Sequence, residues 1–298
     1  MLEQGGNNII QRILYRRRRE VVRKIASLIV ISFLVSSVLL PILYIVFHSL
    51  KGEALIISLY AGKVPYTIWQ KIVIKPFYVN LDQYYEMLFR TPRLLYMFWN
   101  SIMITVPVVI GQIGLAFLAA YGFSKLKFPG SETLFFIYIV IMLMPFQVTM
   151  VPNYIILNKL NLIDTKWALI LPGVFNTFSV FFLKQFMEGI DKCFLEEARL
   201  LGASEWQILK YVMLPMSKPM IMSVIVFVFI DYWSMVEQPV IFLKNETHYP
   251  LSAYLGIIND NKISIGFAGS VLYMILPINL AIYTKEDLAE GFKITNLK

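Results

Sequence analysis

LLYMFWNSIMITVPVVIGQIGLAFLAAYGFS, residues 94–124, runs for 31 residues without an Asp, Glu, Lys or Arg. A helix that crosses the hydrocarbon layer of a bilayer needs about 20 predominantly apolar residues, because that layer is about 30 Å thick. No water lies inside the layer to pair exposed backbone groups, so the stretch must close its own hydrogen bonds as a helix. Three more stretches pass the same test: 25–50 with 26 uncharged residues, 133–158 with 26 and 263–284 with 22. Two weaker ones complete a set of six. Residues 167–183 give 17 uncharged positions, and residues 219–243 are apolar apart from Asp231 and Glu237.

The composition of the 298-residue chain agrees. Apolar residues make up 58% and charged residues 15%, with a mean hydropathy of +0.65. A soluble domain carries roughly 25% charged residues. A disordered chain, a collagen-like repeat and a typical water-soluble enzyme are excluded. One cysteine, Cys193, allows no intramolecular disulfide, and His48 and His248 lie far apart. Neither Cys-x-x-Cys nor His-Glu-x-x-His occurs, so a metal centre has no sequence support. The net charge of +8 reads as topological rather than as a nucleic-acid footprint.

The expected fold is an all-α integral membrane protein. Its six transmembrane helices lie at about 25–50, 97–121, 133–153, 167–186, 219–241 and 263–284. Lys and Arg set the orientation. The tail 1–24 carries Arg16, Arg17, Arg18 and Arg19 among its basic residues. With that tail inside, the inner segments hold 17 basic residues and the outer ones 10. Both termini are therefore expected in the cytoplasm, with 287–298 as a C-terminal tail and 51–96 as a long outer loop. The first apolar run is too long for a signal-peptide core and no Ala-x-Ala-like site follows it, so it is expected to stay attached.

The inner segment 187–218 is too patterned for a plain connection. One short helix is expected from about Asp191 to Leu201, with Leu195, Ala198 and Leu201 on one face. Gly202 stops it, as glycine suits a left-handed C-terminal cap. Ser204 with Gln207 three residues on is a capping box that opens a second helix. A helix–Gly–helix knob of this kind suits a groove on a soluble partner, or packs on its own membrane domain.

Glu196-Glu197-Ala198-Arg199-Leu200-Leu201-Gly202-Ala203-Ser204, with Leu214-Pro215 and Pro219 downstream, resembles the EAA loop of ABC importer permeases. The likeness extends to Asn100-Ser101, to Ala119-Ala120-Tyr121-Gly122-Phe123-Ser124-Lys125 with Phe128-Pro129-Gly130, to Pro145 and Pro152 with Asn153-Tyr154, and to Trp233 and Pro239. These match the carbohydrate (maltose/oligosaccharide-like) subgroup. Glu197, Leu201 and Ser234 depart from the family pattern, which commonly has Ala, Asp and Asn there.

The resemblance implies a non-catalytic permease subunit of a binding-protein-dependent importer in a bacterial cytoplasmic membrane. Its partners would be a second, non-identical permease, two ATPase subunits, an extracellular substrate-binding protein and membrane lipid, with no nucleic acid. The chain has no Gly-x-x-x-x-Gly-Lys-[Ser/Thr], so ATP and Mg belong to the partner ATPase and no cofactor is expected on this chain. Glu196, Glu197, Ala198, Leu201, Gly202 and Ala203 would couple to that ATPase. Alternative cargoes on the same architecture are acidic polysaccharide fragments, glycerol-phosphate compounds and peptides.

Acidic groups at membrane depth are costly and usually face a cavity or a partner. Asp231 and Glu237 are therefore candidates for the pathway, although about 120° apart on an unbroken helix. They also leave open a proton-coupled carrier. Gln147, Asn176, Tyr232, Trp233 and Gln238 are candidates too, since aromatic rings stack on sugars and amides bond hydroxyls, with packing as the competing role. An intramembrane enzyme would need a nucleophile–base pair or metal ligands at matched depth, and the sequence offers neither.

Overall fold

A computed structural model describes residues 2–60, 79–90, 92–258 and 262–295. Every element among them is helical. The α-helices, in chain order, are α1 (Leu2–Ser49), α2 (Glu53–Tyr60), α3 (Asp82–Tyr85) and α4 (Arg93–Lys125). Then come α5 (Ser131–Met142), α6 (Phe146–Lys159), α7 (Trp167–Val174) and α8 (Phe178–Glu188). Next are α9 (Cys193–Leu200), α10 (Glu205–Ile208), α11 (Leu214–Met216) and α12 (Lys218–Trp233). Finally there are α13 (Glu237–Phe242), α14 (Leu251–Leu255) and α15 (Ile263–Thr295). Four helical stretches are long and apolar enough to cross a membrane: Val22–Ser49, Arg93–Lys125, Trp167–Glu188 and Ile263–Gly291. Two bent pairs bring the number to six if each is one span.

One pair is α5 with α6; the other is the helical stretch Glu205–Met216 with α12, at 74°. Helix breaks also fall inside the spans expected at 133–153 and 219–241. α5 and α6 lie at 99° to each other. The turn falls at Pro145, whose backbone is extended with ψ 144°. Proline has no N–H to continue the ladder and pushes the residue before it out of helical geometry. The second expected span stops at Trp233. Ser234 turns its hydroxyl back onto the Ile230 carbonyl at 2.7 Å, and α13 restarts at Glu237. Restarting there puts Pro239 in a first turn, where its missing N–H has no intrahelical partner to lose. The Met235 carbonyl, which that N–H would have met, accepts from the Ser252 hydroxyl at 2.6 Å instead.

Both terminal segments are helical over their described residues. The basic segment 2–24 continues as one helix into the first span, through Pro41. α15 runs past residue 287 to Thr295. It lies against α12 because Gly291 has no side chain; a Cβ there would sit 2.7 Å from Ser223 Oγ. Part of the long outer loop, 61–78, lies outside the described residues.

α4 is the central strut, packed along α7, α8 and α12, and α12 packs along α15. Ile104, Val108, Leu169, Leu183, Met213 and Val224 form the main core. A smaller cluster around Met87, Leu94, Met97 and Leu251 closes one end. Val22–Ser49 is otherwise apolar and open, with Leu28 and Phe33 exposed, and it meets α15. An all-round apolar helix of this kind suits a lipid environment.

Asp164 ties two connections together. It sits in the left-handed region at φ +64°, which Asp tolerates better than most residues. Its Oδ1 accepts from the backbone N–H of Lys244 and Asn245, both at 2.9 Å, and meets His248 Nδ1 at 3.3 Å. The bond from Asn245 and its neighbours holds the carboxyl below the usual carboxylate range. A depressed carboxyl stabilises above its ordinary pKa and loses that contribution as pH falls through the folded value, so the tether is complete at neutral pH. Asp164→Ala is expected to speed amide exchange at Lys244 and Asn245 roughly tenfold, the equivalent of about one hydrogen bond. Exchange mass spectrometry on this segment checks it; unchanged protection would show that the carboxylate does not hold the loop.

Candidate functional site: a polar cavity and a protruding knob

Three helix breaks meet at one place. They are the α5–α6 turn, the α7–α8 connection Phe175–Thr177, and the α12–α13 connection Ser234–Val236. Non-helical backbone within an apolar domain persists where it is packed in protein or lines a cavity. Here a cavity of about 220 Å³ is lined by Phe146, Asp231, Tyr232, Ser234, Met235, Val236, Glu237 and Gln238. Gln147 Nε2 donates to Glu237 Oε2 at 3.3 Å, and the Phe146 and Phe242 rings meet edge to face. Asn176 accepts from the Phe178 N–H at 2.9 Å, and its amide lies beside the Tyr232 hydroxyl.

Of the seven pathway candidates, six therefore converge. Asp231, Tyr232, Glu237 and Gln238 line the cavity, while Gln147 bonds Glu237 and Asn176 lies beside Tyr232. The 120° separation of Asp231 and Glu237 does not apply, because the helix ends between them. Trp233 points elsewhere. It is buried, its Nε1 donates to the Tyr273 carbonyl at 3.0 Å, and its ring stacks on Phe229 and Tyr273. Sequence reading missed Phe146, Ser234, Met235 and Val236, whose side chains carry no distinctive chemistry.

Gly173 positions the buried Tyr232. A Cβ at 173 would lie 2.8 Å from Cε1, Cζ and Oη of that ring. Gly114, by contrast, has nothing within 4 Å. Gly173→Ala is expected to lower stability by about 1–3 kcal/mol through overpacking. Gly114→Ala should gain roughly 0.5–1 kcal/mol from helix propensity alone. Thermal unfolding of the two variants in detergent, side by side, checks the pair; equal midpoints would remove the contact from the account.

A larger cleft of about 680 Å³ lies between the α4–α5 turn and α8, lined by Phe123, Lys127, Phe128, Phe135, Lys184 and Glu188 among others. Lys184 is already engaged there, paired with Glu188 at 2.7 Å and over the Phe135 ring at 4.1 Å.

The knob is built as a closed unit. Gly202 has φ +82°. Its N–H donates to the Arg199 carbonyl at 2.9 Å, and the Ala203 N–H donates to the Ala198 carbonyl at 3.0 Å. This is the paired bond pattern of a Schellman cap, which needs a left-handed residue between the helices. Ser204 and Gln207 form both bonds of the capping box. Arg199 Nε donates to Glu205 Oε1 at 2.8 Å, and this bond, with one from Tyr121, holds the Glu205 carboxyl below its usual range. Leu195 and Ile208 are buried beneath, and Ala198 and Ala203 are half-buried. Glu196, Glu197, Leu201 and Gly202 face outward. Leu201 does not share the buried face expected for it; the helix ends at Leu200 and Leu201 is 89% exposed. With Leu200, Trp206 and Tyr211 it leaves an apolar tip open.

Residues 10–283 match the family described as the binding-protein-dependent transport system inner membrane component. The chain is 25% identical over 76% of its length to the arabinooligosaccharides transport system permease protein AraQ of Halalkalibacterium halodurans, covering 82% of that protein. It is 29% identical over 62% of its length to the polygalacturonan/rhamnogalacturonan transport system permease protein YtcP of Bacillus subtilis, covering 64% of it. The fold is shared with a chain in the crystal structure of a bacterial ABC transporter involved in alginate import. That match has a TM-score of 0.76 at 21% identity and covers 91% of this chain and 98% of that one. Broken apolar helices around a polar cavity, a protruding capped knob and a match over nearly the whole chain lead to one assignment. The chain belongs to the binding-protein-dependent transport system inner membrane component family, as the multi-pass permease subunit of an ABC importer.

Proposed function

We propose that this chain forms half of the membrane pathway for an oligosaccharide-type carbohydrate and takes its driving force from a separate ATPase bound at the knob. The observation that carries the reading is the exposed tip of Leu200, Leu201, Trp206 and Tyr211 on a knob locked by Gly202. An apolar surface held rigid beside acidic groups suits a groove on a soluble partner. In this reading the knob and both termini face the cytoplasm, in line with the Lys and Arg bias. A second permease completes the pathway, and an extracellular binding protein delivers the cargo.

The cavity residues supply sugar-type contacts: the Tyr232 ring with the Gln238 amide, and the Asp231 and Glu237 carboxylates as hydroxyl acceptors. Carbohydrate cargo is also what the names of the arabinooligosaccharide and polygalacturonan relatives state for those proteins. ATP-driven closure of the ATPase pair would move the knob, and the knob would tilt the helices between two rigid arrangements. The test is uptake of labelled oligosaccharide into proteoliposomes holding both permeases, the ATPase and the binding protein. Uptake that requires ATP is the expected result. Uptake driven by a pH gradient without the ATPase would overturn the reading.

A further inference from the structure

Two side chains of α4 bond the knob to the membrane helices. The Tyr121 hydroxyl, on the last turns of α4, donates to Glu205 Oε2 in the knob. Tyr121 is 5% exposed, and its hydroxyl faces the Glu205 carboxylate and the Arg199 guanidinium paired with it. One turn further along α4, Lys125 Nζ donates to the Ile190 carbonyl at 2.7 Å, at the entry to the knob. α4 therefore holds the knob both where it begins and at its second helix. The Arg199–Glu205 pair is different in kind, since both partners lie within the knob.

The other end of the same helix is bonded to the segment 246–251. Asn100 Nδ2 donates to the Thr247 and Tyr249 carbonyls at 2.8 and 3.1 Å. Ser101 Oγ accepts from the Leu251 N–H at 2.8 Å, and Arg93 pairs with Glu246 at 2.6 Å. Asn100 and Ser101 are both buried. A helix of 33 residues spans about 50 Å. α4 thus connects the knob directly to the opposite face of the domain, and passes the cavity region through its packing on α7 and α12.

We infer that Tyr121 is a positioning residue for transport: it fixes the knob to α4, so that a displacement of the knob is delivered to the segment held by Asn100 and Ser101. The inference rests on the proposed docking of an ATPase at the knob. A chain of contacts becomes a coupling route only when both ends bias one two-state element, and the bond at Tyr121 is the link that can be removed without disturbing either end. Phenylalanine keeps the ring in its packed site and deletes only the hydroxyl.

The test uses the complete transporter in proteoliposomes, with uptake and ATP hydrolysis measured together. Tyr121→Phe is expected to lower cargo moved per ATP hydrolysed by about fivefold. ATPase capture and the thermal midpoint should stay at wild-type values. Glu205→Ala, which removes a half-exposed side chain and leaves the core untouched, should give the same loss. The double variant should lose no more than either single one, because both act through one bond. An unchanged ratio in Tyr121→Phe, or losses that multiply in the double variant, would overturn the inference while leaving ATPase docking intact. A wild-type chain that captures no ATPase would overturn both.

Discussion

Gly202→Pro is expected to reduce ATP-driven uptake at least about tenfold while leaving membrane insertion unchanged. The reason is local and geometric. Gly202 sits at φ +82° and donates its N–H to the Arg199 carbonyl. Proline is fixed near φ −65° and has no N–H, so both features of the cap are lost. Any other L-residue at that φ costs about 1–2 kcal/mol, so Gly202→Val should show a weaker form of the same defect. With the cap gone, α9 and α10 no longer hold Leu200, Leu201 and Trp206 as one surface. The four long apolar stretches Val22–Ser49, Arg93–Lys125, Trp167–Glu188 and Ile263–Gly291 lie outside the knob and need none of these bonds. Glu196→Lys tests the surface without touching the cap, since Glu196 is exposed and reverses charge beside the apolar tip. Uptake and ATPase co-purification are the measurements. Wild-type values in both Gly202→Pro and Glu196→Lys would remove the docking assignment.

The largest loss of stability is expected at Trp233, which joins three helices. Its indole N–H donates to the Tyr273 carbonyl on α15, and the Tyr273 hydroxyl donates back to the Trp233 carbonyl at 3.2 Å. Phe98 on α4 meets the ring edge to face, with centroids 5.6 Å apart. In a water-soluble core, removing such a side chain costs about 3–5 kcal/mol, of which part is transfer from water and part is the cavity left behind. Among lipid-solvated helices the transfer part shrinks and packing dominates, which puts Trp233→Ala near about 3 kcal/mol. Trp233→Phe keeps most of the packing and loses the bond to Tyr273, for about 1 kcal/mol. Thermal unfolding in detergent should rank wild type above Trp233→Phe and Trp233→Ala lowest. If Trp233→Ala unfolds with the wild type but fails to transport, the residue belongs to the pathway and not to the core.

That outcome matters because the sequence alone does not separate the two roles. Tyr232 and Trp233 are adjacent, and both are aromatic residues near the end of an apolar stretch. Only the end of α12 at Trp233 decides which ring meets the cavity and which meets α15. The hydropathy pattern locates apolar helices well, since length and absence of charge are what a bilayer demands. It carries no direction, so the 99° turn inside 133–158 is invisible to it. Pro145 marks that turn, yet Pro41 and Pro107 lie within unbroken helices. A proline permits a break, and the neighbouring packing determines whether one forms.

The knob was more legible because its signals are short-range. A glycine stop, a Ser–Gln capping box and the family-like stretch all act within a few residues. Leu201 departs from the helical spacing because the helix ends at Leu200, one residue before it. Long-range bonds left no trace in the sequence at all. Nothing near Asp164 points to Lys244 and Asn245, and nothing near Tyr121 points to Glu205; folding alone brings them together.

The most direct measurement is photo-crosslinking from position 206 in the assembled transporter, with a photoreactive residue in place of Trp206 at the knob's open tip. A nucleotide-sensitive adduct to a nucleotide-hydrolysing subunit is expected. Adducts only to lipid or to this chain's own helices, in a transporter that still moves cargo at the expense of ATP, would contradict it.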